Sequence, residues 1–137
     1  MMIEASLRRC LGILAALALA CLPAAGAAQG SSVPVIAGQI RGYDACGSVG
    51  VVRGLDPRGD GFLAVRAGPG SDYAMLDKVY SDQLLNVCDD RGRWLGVVYS
   101  HETEDCGVST PWPRPAAYTG PCRSGWVYRT YVKDFAG

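Results

Sequence analysis

The chain has 137 residues, with 13 lysines and arginines against 13 aspartates and glutamates, and 49% of its side chains are apolar. That length predicts one domain, and the charge balance argues against nucleic acid, which requires a basic face, and against long-range steering by a highly charged partner. With 18 glycines, 8 prolines and 6 cysteines, short elements divided by turns are expected rather than long helices. In chain order, residues 1–10 carry Arg8 and Arg9, residues 11–22 form an unbroken apolar run, and residues 23–28 are small. A basic start, an apolar middle and a small-residue end predict a secretory signal peptide over 1–28. The run falls short of the roughly 20 residues needed to span a bilayer, so no transmembrane span is expected after processing. Small residues around Ala25, Gly26, Ala27 and Ala28 offer cleavage sites for release. Ala18, Leu19 and Ala20 before Cys21 offer the alternative of an envelope lipoprotein anchored through Cys21.

Beyond the leader, residues 29–48 read as a weakly patterned lead-in, and 49–137 as the folded domain. Strands are predicted at 50–55, 62–66, 75–80, 83–88, 94–100 and 125–131. The breakers between them are dense in turn formers, as at Asp56, Pro57, Gly59, Asp60 and Gly61, and again at Gly68, Pro69 and Gly70. Alternation puts Leu63 and Val65 on one face of their strand. In the next hairpin it puts Leu95, Val97 and Tyr99 on one face and Trp94 and Val98 on the other, with a tight turn over 89–93. Residues 101–124 contain Pro111, Pro113, Pro115 and Pro121 and read as a long irregular insertion before the last strand. No sustained helical period follows the leader, so the expected class is all-β, a small barrel or sandwich of five to six short strands.

Without Glu4, Arg8 and Arg9, eleven basic and twelve acidic side chains remain, close to neutral. Cys10 and Cys21 fall in the leader; Cys46, Cys88, Cys106 and Cys122 remain. An even count in an exported chain predicts two disulfides, with three pairings open. Cys46 with Cys88 and Cys106 with Cys122 is preferred, because the second bridge would staple the proline-rich insertion. That chemistry places the protein in the periplasm or outside the cell.

The stretch Leu63, Ala64, Val65, Arg66, Ala67, Gly68, Pro69 and Gly70, followed by Tyr73, resembles the opening signature of bacterial SH3 domains. Gly92, Arg93, Trp94, Leu95, Gly96 and Val97 resemble that family's central strand, and Gly125, Trp126 and Val127 with Tyr131 and Val132 resemble its closing strand. The three pieces span about residues 50 to 134 in the family's order. Ala64 stands where the family carries asparagine, and neither the insertion at 101–124 nor the four cysteines are general features of it. The resemblance implies a small SH3-like barrel that binds a cell-wall peptide or an envelope protein without catalysis. The insertion enters just before the final strand, where it could cover or reshape an inherited groove.

The ten tryptophans and tyrosines all lie beyond the leader. Rigid rings with polar tips suit recognition of peptides or sugars. The candidate groove residues are Arg66, Tyr73, Trp94, Trp112, Tyr128 and Tyr131, between the loop at 66–73 and the hairpin at 90–94. Arg66 has a second reading, as a tether bonded to loop carbonyls; Trp112 has one as a plug seating the insertion; Trp126 is expected in the core. His101 stands alone in an acidic run, which predicts no metal site, and no cofactor is expected. The expected function is an exported SH3-like binding module for peptidoglycan or a short peptide. The alternative is an adaptor, inhibitor or immunity-type protein acting through 101–124.

Overall fold

A computed structural model describes residues 31–137; the predicted signal peptide and both of its processing alternatives lie outside the described residues. The elements are β1 (Ile36–Ala37), β2 (Ser48–Val52), β3 (Leu63–Arg66), β4 (Met75–Val79), β5 (Leu84–Arg91), β6 (Trp94–Tyr99), β7 (Ala116–Ala117), β8 (Arg123–Tyr128), a 3-10 turn (Arg129–Tyr131) and β9 (Val132–Ala136). The fold is all-β and antiparallel, with no α-helix among the described residues.

Seven strands form one sheet in the order β4-β3-β8-β6-β5-β2-β9, and β1 and β7 form a separate two-stranded ribbon. The two end strands of the large sheet, β4 and β9, do not pair with each other, so hydrogen bonding does not close it. It curls nevertheless. Register shifts at Val49/Gly50, Val65/Arg66 and Val87/Asp89 add bulges, which bend a strand and increase its twist. The curl gathers one core from the whole sheet: Val52, Leu63, Val65, Val79, Leu85, Leu95, Val97, Tyr99 and Val127, with Val132 of β9 packed alongside. The alternation expected in β3 and β6 is what delivers these side chains. Fully burying one valine or leucine contributes about 1.5–3 kcal/mol.

Several boundaries differ from the sequence reading. β5 runs on to Arg91, so the hairpin turn is only Gly92 and Arg93 rather than 89–93. Strand pairing extends through Asp89 and Asp90 because backbone hydrogen bonds are indifferent to their polarity, and the Asp89 carboxylate finds partners of its own. β8 begins at Arg123, and β9 follows it to pair with β2. The insertion therefore precedes the next-to-last strand, not the last.

The larger departure concerns the lead-in, from residue 31 onward, and 101–124. Neither is a loose appendage: together they build a second layer on the other face of the sheet. Val35, Ala37 and Ala45 from the lead-in join Val108 and Tyr118 from the insertion over Val98 and Trp126. The ribbon zips Ile36 against Ala117 and Ala37 against Ala116. Backbone bonds from Ala45 N to Thr110 O (2.9 Å) and Cys46 N to Val108 O (3.1 Å) extend the same seam. The bridges Cys46–Cys88 and Cys106–Cys122 form as preferred from the sequence, the first fastening the lead-in to β5 and the second closing the insertion. Asp89 is the polar pin between layers. It is 5% exposed, and its carboxylate accepts from Ile36 N at 3.1 Å and Asp90 N at 2.9 Å. Opposite it on β6 is Gly96, where an added Cβ would lie 2.6 Å from the Asp89 Cβ, so only glycine lets the two strands meet there.

Two disulfides in one small domain indicate an oxidising compartment outside the cytoplasm. No helix of the described residues is long and apolar enough to cross a membrane.

Candidate functional site

A cleft of about 940 Å³ opens where the loop before β3, the loop after β3, the β5–β6 hairpin and the end of β8 converge. Its floor is aromatic. Trp94, first residue of β6, pairs with Tyr128, last residue of β8. Their rings meet edge to face at 5.5 Å, and Tyr131 on the 3-10 turn stands 6.2 Å beyond Tyr128. Edge-to-face contacts hold rings in one orientation and leave faces for a ligand.

Both banks are tied down. On the hairpin bank, Arg129 N donates to Arg93 O at 2.8 Å and Arg129 Nε donates to Gly92 O at 2.6 Å. Its guanidinium also pairs with Asp90. The Arg129 hydrogen bond, helped by the Gly92 N–H and the Arg129 charge, holds the Asp90 carboxyl below its usual range against the opposing effect of burial. On the other bank, Arg66 Nη1 donates to Tyr73 O at 3.0 Å, and Ala67 N donates to Ala74 O at 2.8 Å. The loop folds over Gly68, where an added Cβ would stand 2.4 Å from the Tyr73 ring. The glycine of the sequence motif is thus a seat for an aromatic ring.

Of the six residues expected in a groove, Arg66, Trp94, Tyr128 and Tyr131 line this cleft. Tyr73 does not, because its ring is spent on Gly68 and Gly70 beneath the loop. Trp112 lies in the second layer. It stacks on Tyr118 (6.5 Å, 11° between planes) and donates from Nε1 to Gly107 O at 3.0 Å, the plug role rather than a groove role. Arg66 has both of its readings at once, tether and lining. No residue of 101–124 lines the cleft, so the insertion neither covers nor reshapes it. The sequence reading missed Asp56, Asp60, Phe62, Asp72 and Arg93, which also line it. Their turn-forming context was visible, but their convergence depends on how β3 and β6 flank β8.

His101 sits outside the cleft in a network of its own. Its Nε2 lies 2.7 Å from Asp77 Oδ2, which also accepts from the Tyr99 hydroxyl at 2.7 Å and has Arg123 Nη1 at 3.4 Å. Gln83 Nε2 lies 3.2 Å from His101 Nδ1. The sequence reading of a purely solvated loop histidine is replaced by one pinned to edge strand β4. Burial works against the Asp77 charge, but hydrogen bonds from Tyr99, His101 and the Lys78 backbone, with the His101 charge, outweigh it and lower its pKa. Burial, then the bond to Asp77 and its charge, push the Tyr99 hydroxyl well above the usual tyrosine value. A depressed aspartate contributes stability above its unfolded value of 3.8 that is lost as pH falls through the folded value. Asp77→Asn should therefore remove part of the acid-limb slope of stability below that pH while lowering stability at neutral pH. Urea melts at stepped pH measure both; an unchanged slope would mean the network leaves Asp77 unperturbed.

All four cysteines of the described residues are in disulfides, so none offers a thiol nucleophile, and no group of three or more metal-ligating side chains converges among these residues. No known family model, curated protein or solved structure matches the chain.

Proposed function

We propose that the protein is an exported bacterial SH3-like binding module that holds a short peptide, free or as part of peptidoglycan, in the aromatic cleft. One observation carries the reading. Trp94, Tyr128 and Tyr131 form an immobilised ring cluster at the floor of an open cleft whose two banks are each fixed by hydrogen bonds. Rings that are already ordered bind an extended chain at little further entropic cost. The curled antiparallel sheet and the three motif segments of the sequence support the SH3-like reading, in which the two end strands approach over one core without pairing.

The test is retention on purified sacculi. Replacing Trp94 and Tyr128 together with alanine should weaken retention about thirty-fold, the scale of a central aromatic hot spot worth about 2 kcal/mol. Near-UV circular dichroism and the melting midpoint report whether the fold survives. Retention undiminished in a folded variant would remove the cleft from the function. It would then favour the second reading, an adaptor or inhibitor acting through 101–124. That reading draws support from the rigidity of the segment: the Tyr118 hydroxyl donates to Cys106 O at 2.8 Å and accepts from Cys122 N at 3.1 Å across the bridge, a firm frame for surface contacts.

A further inference from the structure

The cleft has charges of opposite sign on its two banks. β8 lies between β3 and β6 in the sheet, so the loops flanking β3 form one bank and the β5–β6 hairpin the other. The β3 bank carries Asp56, Asp60 and Asp72; the hairpin bank carries Arg93. None of these four belongs to an ion pair of the described residues, whose pairs instead join Arg53–Asp82, Arg91–Asp89, His101 and Arg123 with Asp77, and Arg129–Asp90. The remaining charge in the lining, Arg66, is committed to the Tyr73 carbonyl. Lys78 stands 4.4 Å over the Phe62 ring but is outside the lining. One carboxylate oxygen of Asp56 accepts from Arg58 N at 2.8 Å and so fixes its side chain on the bank.

Taking the peptide-binding reading as given, we propose that the cleft selects a dipolar peptide, with a primary ammonium toward Asp56, Asp60 and Asp72 and a carboxylate toward Arg93. Three considerations lead there. The rings between the banks offer π faces, which attract an ammonium and do nothing for an anion. A guanidinium matches a carboxylate in a two-pronged bond. The span from β3 across β8 to β6 is two strand spacings, roughly 10 Å, within the reach of an extended peptide of about four residues. A uniformly cationic ligand would meet Arg93, and a uniformly anionic one the three aspartates, so each bank rejects what the other accepts.

The experiment uses the exported protein with its disulfides intact and the synthetic tetrapeptide Ala-Ala-Lys-Ala in three forms: free, acetylated on both amines, and amidated at the C-terminus. The readout is displacement of the Trp94 indole resonance in a nitrogen-proton correlation spectrum. The free form should bind tightest, with either modification weakening it about five-fold, in keeping with partly exposed charge pairs. Asp56→Asn with Asp60→Asn should abolish the penalty of acetylation but keep that of amidation; Arg93→Gln should do the reverse. Equal affinity for all three forms overturns the inference and leaves the binding-module reading standing. No displacement by any form overturns it too, and retention on sacculi then decides whether the module reading falls with it.

Discussion

Replacing Cys106 and Cys122 together with alanine should lower stability by about 3 kcal/mol, and replacing Cys46 and Cys88 together by about 4 kcal/mol, from the chain entropy each bridge removes from the unfolded state. The order follows from loop size, since the bridges span 16 and 42 residues of sequence respectively. Urea midpoints in the wild-type and paired variants measure the loss. Where the loss falls is the more discriminating result. The core inside the curled sheet contains no cysteine, whereas all four cysteines pack in or against the second layer. Hydrogen exchange in either variant should therefore accelerate first across β1, β7 and 106–122, with β3, β6 and β8 remaining protected. The cleft takes its floor from β6, β8 and the 3-10 turn, and should keep its shape while the second layer loosens. Uniform acceleration across both layers would show instead that the two cores unfold as one unit and that the cleft depends on the bridges.

Six strands of the large sheet, β2 to β6 and β8, were legible because each carries its own signal; β9 was not, because four of its five side chains are exposed and it bears no buried face to set a period. In β3 and β6 a period of two separates Leu63, Val65, Leu95 and Val97 from their neighbours, and turn residues flank every run. The second layer was not legible, for a physical reason. β1 and β7 have two residues each, too short for any period, and their partners are separated by most of the domain. What stabilises them is apolar area supplied by Trp126 and Val98 from a distant sheet face, which no window around residue 36 contains. Asp89 shows the same limit. In sequence it looks like a turn residue beside Asp90, yet it is the buried acceptor that holds the Ile36 amide. For the cleft, the motif around Arg66 and the Trp94 hairpin located the two banks. The motif's tyrosine misled: Tyr73 belongs to the conformation of the loop, and its ring sits where Gly68 leaves room. Whether a ring faces ligand or its own backbone depends on an atom missing from a neighbour, which pattern alone does not reveal.

Trp126→Ala should cost about 3–5 kcal/mol, the range for emptying a fully buried aromatic site. The ring is 0% exposed. It lies on β8 with Arg66 of β3 paired on one side and Gly96 of β6 on the other. The Arg91 guanidinium stands 5.6 Å over it. Its second contribution is polar and separable. Trp126 Nε1 donates to Val33 O at 2.7 Å, across 93 residues of sequence, so the indole ties the lead-in to the sheet. Trp126→Phe keeps most of the apolar volume and removes that donor. It should cost about 1 kcal/mol, the low end of the penalty for leaving a carbonyl without a partner, since Val33 is only partly buried. The loss should appear as faster amide exchange over 33–37, where Val33 N otherwise donates to Ala67 O at 2.8 Å and Tyr118 N to Val35 O at 2.9 Å. Because Ala67 opens the loop that forms the β3 bank, loosening Val33 should also broaden the Ala67 to Tyr73 resonances. A phenylalanine variant as stable as wild type would mean that water reaches the Val33 carbonyl. The second layer would then be held to the sheet by apolar contact, the Cys46–Cys88 bridge and the Asp89 pin, without the indole's hydrogen bond.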